Sequence, residues 1–292
     1  MKDLLNLNLI HLRVLTLLVI FLGFNFSTVV SAETVPRPEN HLTIGASIVS
    51  SSAPFEGTNG YVTPMPIFDI RVGDFFLFNE HDEPIFGYDL FFHKRIQLAF
   101  AITRTRAFLD LGEVNESVES LYFGLQDRDS AVEAGFIFQF HSRVGLFELT
   151  TFHDITDHYD GIKSSISMSR PIPDTGRWKI VPRVFVKHYS EKYNRFYYGV
   201  TEAETNKGAQ EAIDRSDINI TKKGYKDGIR DTYVPGTSGH FGASISFEYL
   251  ITDHLKGRGF IEIEKFSGQI ETSPLIEDKE LTTLSLGLSY TF

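Results

Sequence analysis

The chain has no cysteine, which excludes disulfide staples and thiolate metal sites in any compartment. Tryptophan is nearly absent too, with one residue against 26 phenylalanines and 12 tyrosines. Positive charge is in deficit: the formal net charge is −10, which argues against a general nucleic-acid binder. After the N-terminal segment, no apolar run approaches the roughly 20 residues that a membrane helix requires. The remainder is therefore either soluble or crosses a membrane as strands.

The N-terminal segment has its own logic. Val14 to Phe24 is an uncharged apolar core, and Val30-Ser31-Ala32 places small residues at the −3 and −1 positions of a cleavage site. Residues 1–32 thus read as a secretory signal peptide cut after Ala32. Residues 33–40 form a short polar, proline-containing periplasmic segment, and residues 41–292 carry the fold.

At the other end, Leu284-Ser285-Leu286-Gly287-Leu288-Ser289-Tyr290-Thr291-Phe292 alternates strictly between apolar and small or polar residues. Period two gives a strand with one greasy face and one wet face. Similar segments of about ten residues recur along the chain, the pattern of a membrane-spanning barrel. They cover 42–48, 68–72, 75–78, 84–92, 96–103, 132–140, 146–155, 161–169, 178–189, 241–251, 255–266 and 281–292. The expected fold is all-β: a closed antiparallel transmembrane β-barrel of about 12 strands.

Loop lengths sort by parity. Connections near 73–74, 93–94, 141–144, 172–177 and 252–254 are short, whereas every long one belongs to the opposite set, including 107–129 and 190–237. Short periplasmic turns and longer extracellular loops are the asymmetry of an outer-membrane barrel. The 190–237 loop is expected to project outward, with a short helix around Glu202 to Ile213.

Polar residues, with charges of both signs among them, fall opposite the apolar stripe: Asp69, Arg71, Asp89, Gln97, Glu133, Gln139, Lys163, Arg183, Lys187, Glu248, Lys256, Arg258, Glu262 and Glu264. Facing lipid, each charge would cost roughly 2–4 kcal/mol near the midplane, so this face is assigned to the lumen. Trp178 and Tyr249 are expected to anchor the membrane interface. Tyr290 and Phe292 also fit there, and as a terminal aromatic pair they form a candidate signal for insertion by the barrel-assembly machinery.

Candidate chemistry is sparse. His153-Asp154-Ile155-Thr156-Asp157-His158-Tyr159-Asp160 gathers two histidines and three carboxylates that could ligate a metal or move protons. A polar loop tip explains the same residues, and alternation sends His153 and Asp154 to opposite faces. Ser164, Ser165 and Ser167 lie one strand away, without a nucleophile motif around them. His188 and His240 read as rim residues. Lys222, Lys223 and Lys226 form a solvated loop face suited to lipopolysaccharide phosphate. No catalytic, cofactor or metal residue is assigned.

Three blocks resemble the MipA/OmpV family, named for the MltA-interacting protein and outer-membrane protein V. They are Pro54-Phe55-Glu56-Gly57 followed by Pro64-Met65-Pro66, then Tyr197-Tyr198-Gly199-Val200-Thr201, and Ser273-Pro274-Leu275-Ile276. In the last part of the central block, Thr205 stands where the family often has alanine. The resemblance implies a non-enzymatic outer-membrane scaffold or surface protein that needs no cofactor. It further implies candidate partners, a lytic transglycosylase and a penicillin-binding protein, alongside outer-membrane lipid. A small-solute channel and an adhesin or surface antigen are the alternative roles, with an outer-membrane hydrolase behind them.

Overall fold

The computed structural model describes residues 37–55, 58, 60–80, 83–105, 109, 111, 119, 121–173, 176–214, 225–226 and 229–292. The proposed signal peptide, Glu56, Gly57 and the Lys222-Lys223 pair lie outside these residues. The barrel strands are β1 (His41–Ser51), β2 (Tyr61–Val72), β3 (Phe75–Glu80), β4 (Glu83–His93), β5 (Ile96–Arg104), β6 (Val132–His141), β7 (Leu146–Asp154), β8 (Ile162–Ser169) and β9 (Trp178–Tyr189). After a two-stranded ribbon, β10 (Tyr225–Lys226) and β11 (Ile229–Arg230), come β12 (Ser238–Leu250), β13 (Leu255–Phe266) and β14 (Glu280–Thr291).

Twelve strands close in the order β1-β14-β13-β12-β9-β8-β7-β6-β5-β4-β3-β2, with β2 returning to β1. Every neighbouring pair is antiparallel. Chain end meets chain start in the closing seam, where Thr43 pairs with Thr291 and Ser51 with Thr283. The Phe292 N–H donates to the Leu42 carbonyl at 3.0 Å. No sheet edge remains along that seam, which satisfies the backbone in a solvent without hydrogen bonds.

Alternation sets the two faces. Leu284, Leu286, Leu288 and Tyr290 stand outside, with Leu286 66% exposed, while Thr283 and Ser289 between them are buried inside. Ile44, Ile48, Phe86, Phe136, Ile166, Val186, Ile261 and Ile263 continue the exposed apolar band around the barrel. Inside, one wall is apolar: Phe76, Ile85, Ala99, Ala101, Ile137 and Phe152 pack together across β3 to β7. The rest of the interior is polar and charged.

Strand β2 begins earlier than its alternation suggests, at Tyr61 rather than Phe68. The reason lies in two prolines. Pairing of β2 with β3 stops at Asp69 and Phe78, so the segment up to Ile67 rises past its neighbour. The Phe68 N–H donates to Asn79 Oδ1 at 2.9 Å, and Asn79 Nδ2 donates to the Pro66 carbonyl at 2.8 Å. Even-numbered β2 residues therefore turn their backbone groups toward β3. Pro64 and Pro66 fall on that unpaired margin, where no ladder donor is required of them.

Candidate functional site: a lid over the loop-side mouth

The described part of the 190–237 segment folds back over the barrel mouth instead of projecting outward. Its first half forms helix α1 (Glu191–Tyr198) and helix α2 (Glu202–Asp214), and α1 turns Tyr193, Tyr197 and Tyr198 into an apolar core. That core draws Phe55 from the β1–β2 loop, Leu109, Tyr122, Leu125 and Ala131 from the β5–β6 loop, and Tyr159 from the β7–β8 loop. Tyr189, Val200 and Phe266 join it, with Ile270 and Leu275 from the β13–β14 loop. Tyrosines this greasy bury far more favourably against one another than in water, which explains why the loop folds back. The ring centroids of Tyr189 and Tyr193 are 4.4 Å apart, and those of Tyr193 and Tyr197 4.6 Å apart.

Local signals build the helices. The Ser190 hydroxyl caps α1 by accepting from the Tyr193 N–H. For α2 the pair Thr201 and Glu204 forms a reciprocal capping box: Thr201 Oγ1 accepts from the Glu204 N–H at 3.2 Å, and Glu204 Oε2 accepts from the Thr201 N–H at 2.8 Å. Between the helices, Gly199 is required by close packing, since a Cβ there would collide with the Arg195 carbonyl oxygen.

Polar contacts then tie the loops together. Arg128 lies 2.8 Å from Glu204 and donates to the Gly199 carbonyl at 3.1 Å. Ser273 donates to the Tyr198 carbonyl at 2.7 Å, and Asn194 donates to the Gly236 carbonyl at 2.7 Å. Isolated bridges join Phe55 to Ile276 and Val200 to Tyr233. Burial pushes the Glu204 carboxyl up, but hydrogen bonds from Arg128 and Thr201 outweigh it and hold the group below the usual carboxylate range. Burial, reinforced by Glu133, pushes the Tyr159 phenol well up. Burial does the same for the phenols of Tyr193, Tyr197 and Tyr198.

The motif blocks of the sequence, far apart in the chain, meet in this lid. Phe55 stacks on Tyr198, the Pro54 carbonyl accepts from the Glu277 N–H at 3.0 Å, and Leu275 is buried beside them. Pro64 and Pro66 lie apart, on the barrel wall.

Beneath the lid, side chains pair across the lumen. Lys163 on β8 reaches Glu133 on β6 at 2.9 Å and Glu83 on β4 at 3.4 Å. The Tyr159 hydroxyl donates to Glu133 from above, and Lys187 pairs with Glu264. Arg71 donates to Asp89 at 2.5 Å, and Gln97 donates to the same carboxylate at 2.6 Å. Asp69 faces His41 at 2.8 Å. Arg183 lies 3.6 Å from Glu148, Glu262 lies 3.7 Å from Lys187, and Glu248 lies 3.9 Å from Arg258.

The histidine-rich tip serves the loop. Asp154 Oδ1 accepts from the Thr156 N–H at 2.8 Å, and its Oδ2 accepts from the N–H groups of Tyr159 and Asp160 at 2.7 and 3.0 Å. Those bonds wrap the turn and aim Tyr159 inward. No group of three metal-binding side chains occurs among the described residues. His188 is on the outer face, whereas His240 is not at the rim: it is buried under the lid and lies 2.6 Å from Glu264. Alternation could place His240 inward, but its burial comes from the rings of Tyr189 and Phe266, 4.5 and 4.6 Å away, which belong to the lid core.

On the turn side, Trp178 pairs across strands with Tyr249, their ring centroids 4.8 Å apart. The rings of Tyr290 and Phe292 meet edge to face at 4.9 Å on the same rim.

Residues 44–292 match the MltA-interacting protein MipA family. The chain belongs to that family. It is 23% identical over 257 residues to a chain of Escherichia coli K12 named "Putative outer membrane protein YiaT", covering 87% of this chain and 92% of that one. It is 21% identical over 258 residues to the MltA-interacting protein of the same strain, covering 88% and 93%. Among solved structures, an outer membrane channel from Pseudomonas putida F1 aligns with a TM-score of 0.41 at 8% identity, over 91% of this chain and all of that one. The protein is a MipA-family barrel of the outer membrane.

Proposed function

We propose that this MipA-family protein is a non-conducting barrel that acts through protein contacts, holding a murein-cleaving enzyme of the lytic transglycosylase type at the outer membrane. The observation that carries the reading is the lid: side chains from five loop-side connections and two strand ends share one buried core over the mouth. A barrel shut on that side has no through path for solute. The relative named for its interaction with MltA supplies the partner class.

Short turns face the periplasm in such barrels. A periplasmic enzyme would therefore meet the turn-side rim, where Trp178, Tyr249, Tyr290 and Phe292 present aromatic surface. The penicillin-binding protein would join through the hydrolase or at the same rim. A small-solute channel is the second reading, favoured by the charge-lined lumen.

Two measurements decide between them. In planar bilayers the purified barrel gives no discrete openings; stepwise conductance would sink the closed-barrel reading. Cross-linked cells, affinity-purified through the barrel and read by mass spectrometry, yield a lytic transglycosylase. Recovery of no murein enzyme would remove the scaffold role.

A further inference from the structure

Below the lid, the lumen keeps a cavity of about 330 Å³. Its lining comes from the turn-side parts of β8, β9, β12, β13 and β14, with β1 to β3 completing the ring. Elsewhere the interior is filled by Phe76, Phe152 and Phe185. Here Ser244, Ser246 and Ser285 leave space, and Gly287 widens it.

The charge of this cavity runs against that of the chain. Two guanidiniums, Arg183 and Arg258, and one carboxylate, Glu248, line it. Arg258 is poorly served. Its Nη2 is 3.9 Å from Glu248, too far for a hydrogen bond, and Glu248 is shared with Lys256 at 3.7 Å. Its Nε is shielded and has no hydrogen-bond partner among the described residues. The side chain keeps about a quarter of its surface exposed in the cavity, so its terminal donors are open to a ligand. The shielded Nε calls for an acceptor, because leaving a buried donor unmet is costly. Other lumen cations are matched at closer range, Lys163 with Glu133 at 2.9 Å near the lid and Arg71 with Asp89 at 2.5 Å near the turns.

The serines add the second half of a recognition site. The Ser246 hydroxyl has only a 3.5 Å contact with the Val181 carbonyl, and those of Ser244 and Ser285 make no hydrogen bond among the described residues. Hydroxyls that can both donate and accept suit a ligand with hydroxyls of its own. The volume lies in the range of small-molecule sites, where a few polar groups fix orientation.

We infer that this turn-side cavity binds a small hydroxylated carboxylate, of the sugar-acid class, which enters from the periplasm. Arg258 takes the carboxylate in a two-pronged hydrogen bond, and Ser244, Ser246 and Ser285 hold the hydroxyls. This site is independent of the scaffold reading, since a binding cavity requires neither a murein enzyme nor conduction.

Isothermal titration of the full barrel, purified in detergent, tests it with three probes: D-gluconate, D-glucose and acetate. Gluconate binds saturably; glucose, lacking the carboxylate, is weaker by about tenfold or more, the worth of one charge-assisted contact, and acetate, lacking the hydroxyls, is weaker by a similar factor. Arg258→Gln weakens gluconate by a similar factor while the barrel keeps its heat-modifiable gel migration. Ser285→Leu fills the cavity with every charge intact and abolishes binding, so it carries the test should R258Q misfold. No gluconate binding at millimolar concentration would overturn the proposal. So would R258Q or S285L binding as tightly as wild type, or acetate binding as tightly as gluconate.

Discussion

The ring of Phe55, from the first loop, stacks on that of Tyr198, from the last turn of α1, with centroids 6.1 Å apart and planes inclined by 27°. One contact thus pins the first loop of the barrel to the helix that covers its mouth. Both rings are almost wholly buried, so the lid is a packed core in its own right.

Tyr198→Ala should loosen that core. Truncating a large buried aromatic costs about 3–5 kcal/mol, and the loss falls on the lid rather than on the strand ladder. Limited proteolysis is expected to cut the 190–237 segment much faster than in wild type, and bilayer recordings should show intermittent current. Unchanged cleavage would mean the lid does not depend on this contact.

The capping box makes the lid pH-sensitive. Because the Glu204 carboxyl is held below its usual range, its contribution to lid stability is complete above the unfolded value of about 4.3. It disappears as pH falls through the lower folded value. Hydrogen exchange across 201–214 should therefore accelerate on acidification below about pH 4, taking that same unfolded value as the upper bound. Glu204→Gln should flatten this dependence. Thr201→Ala should speed exchange at every pH, a cost of about 1 kcal/mol for a lost helix cap.

Lys163 stands between two carboxylates. Lys163→Met strands Glu133, whose side chain is fully buried, and leaving such a charge uncompensated costs about 3–5 kcal/mol. Urea unfolding in detergent should show the loss. The double variant Lys163→Met/Glu133→Gln should recover much of it.

The face assignment of β14 can be tested with one charge placed at two neighbouring positions. Leu286→Lys puts it on the outer face at a cost of roughly 2–4 kcal/mol near the midplane. Ser285→Lys puts it in the water-filled lumen beside Arg183 and Arg258, where the loss should be clearly smaller than for Leu286→Lys. Equal destabilisation of both would contradict the alternation.

Much of the wall was legible in the sequence because period two leaves a mark on every strand. Leu284 to Phe292 and Val132 to Phe140 announce their faces without help from any neighbour. The start of β2 was not legible, since prolines at 64 and 66 ordinarily argue against a strand, and only the early end of β3 makes them acceptable. The lid escaped for a different reason. Tyr159, Tyr193 and Tyr197 sit in segments without strand periodicity, and what gathers them is one another. One local signal was available: Thr201 and Glu204 have the spacing of a capping box. The cover also decides the fate of His240, which alternation alone would have left exposed at a strand end.

Pro64 and Pro66 have a last consequence for how the molecule behaves among its own kind. A strand arriving from another copy would find, at those two rungs, carbonyl oxygens with nothing offered back. Recruitment stalls there, so crowding in the bilayer should not zip barrels together through that margin.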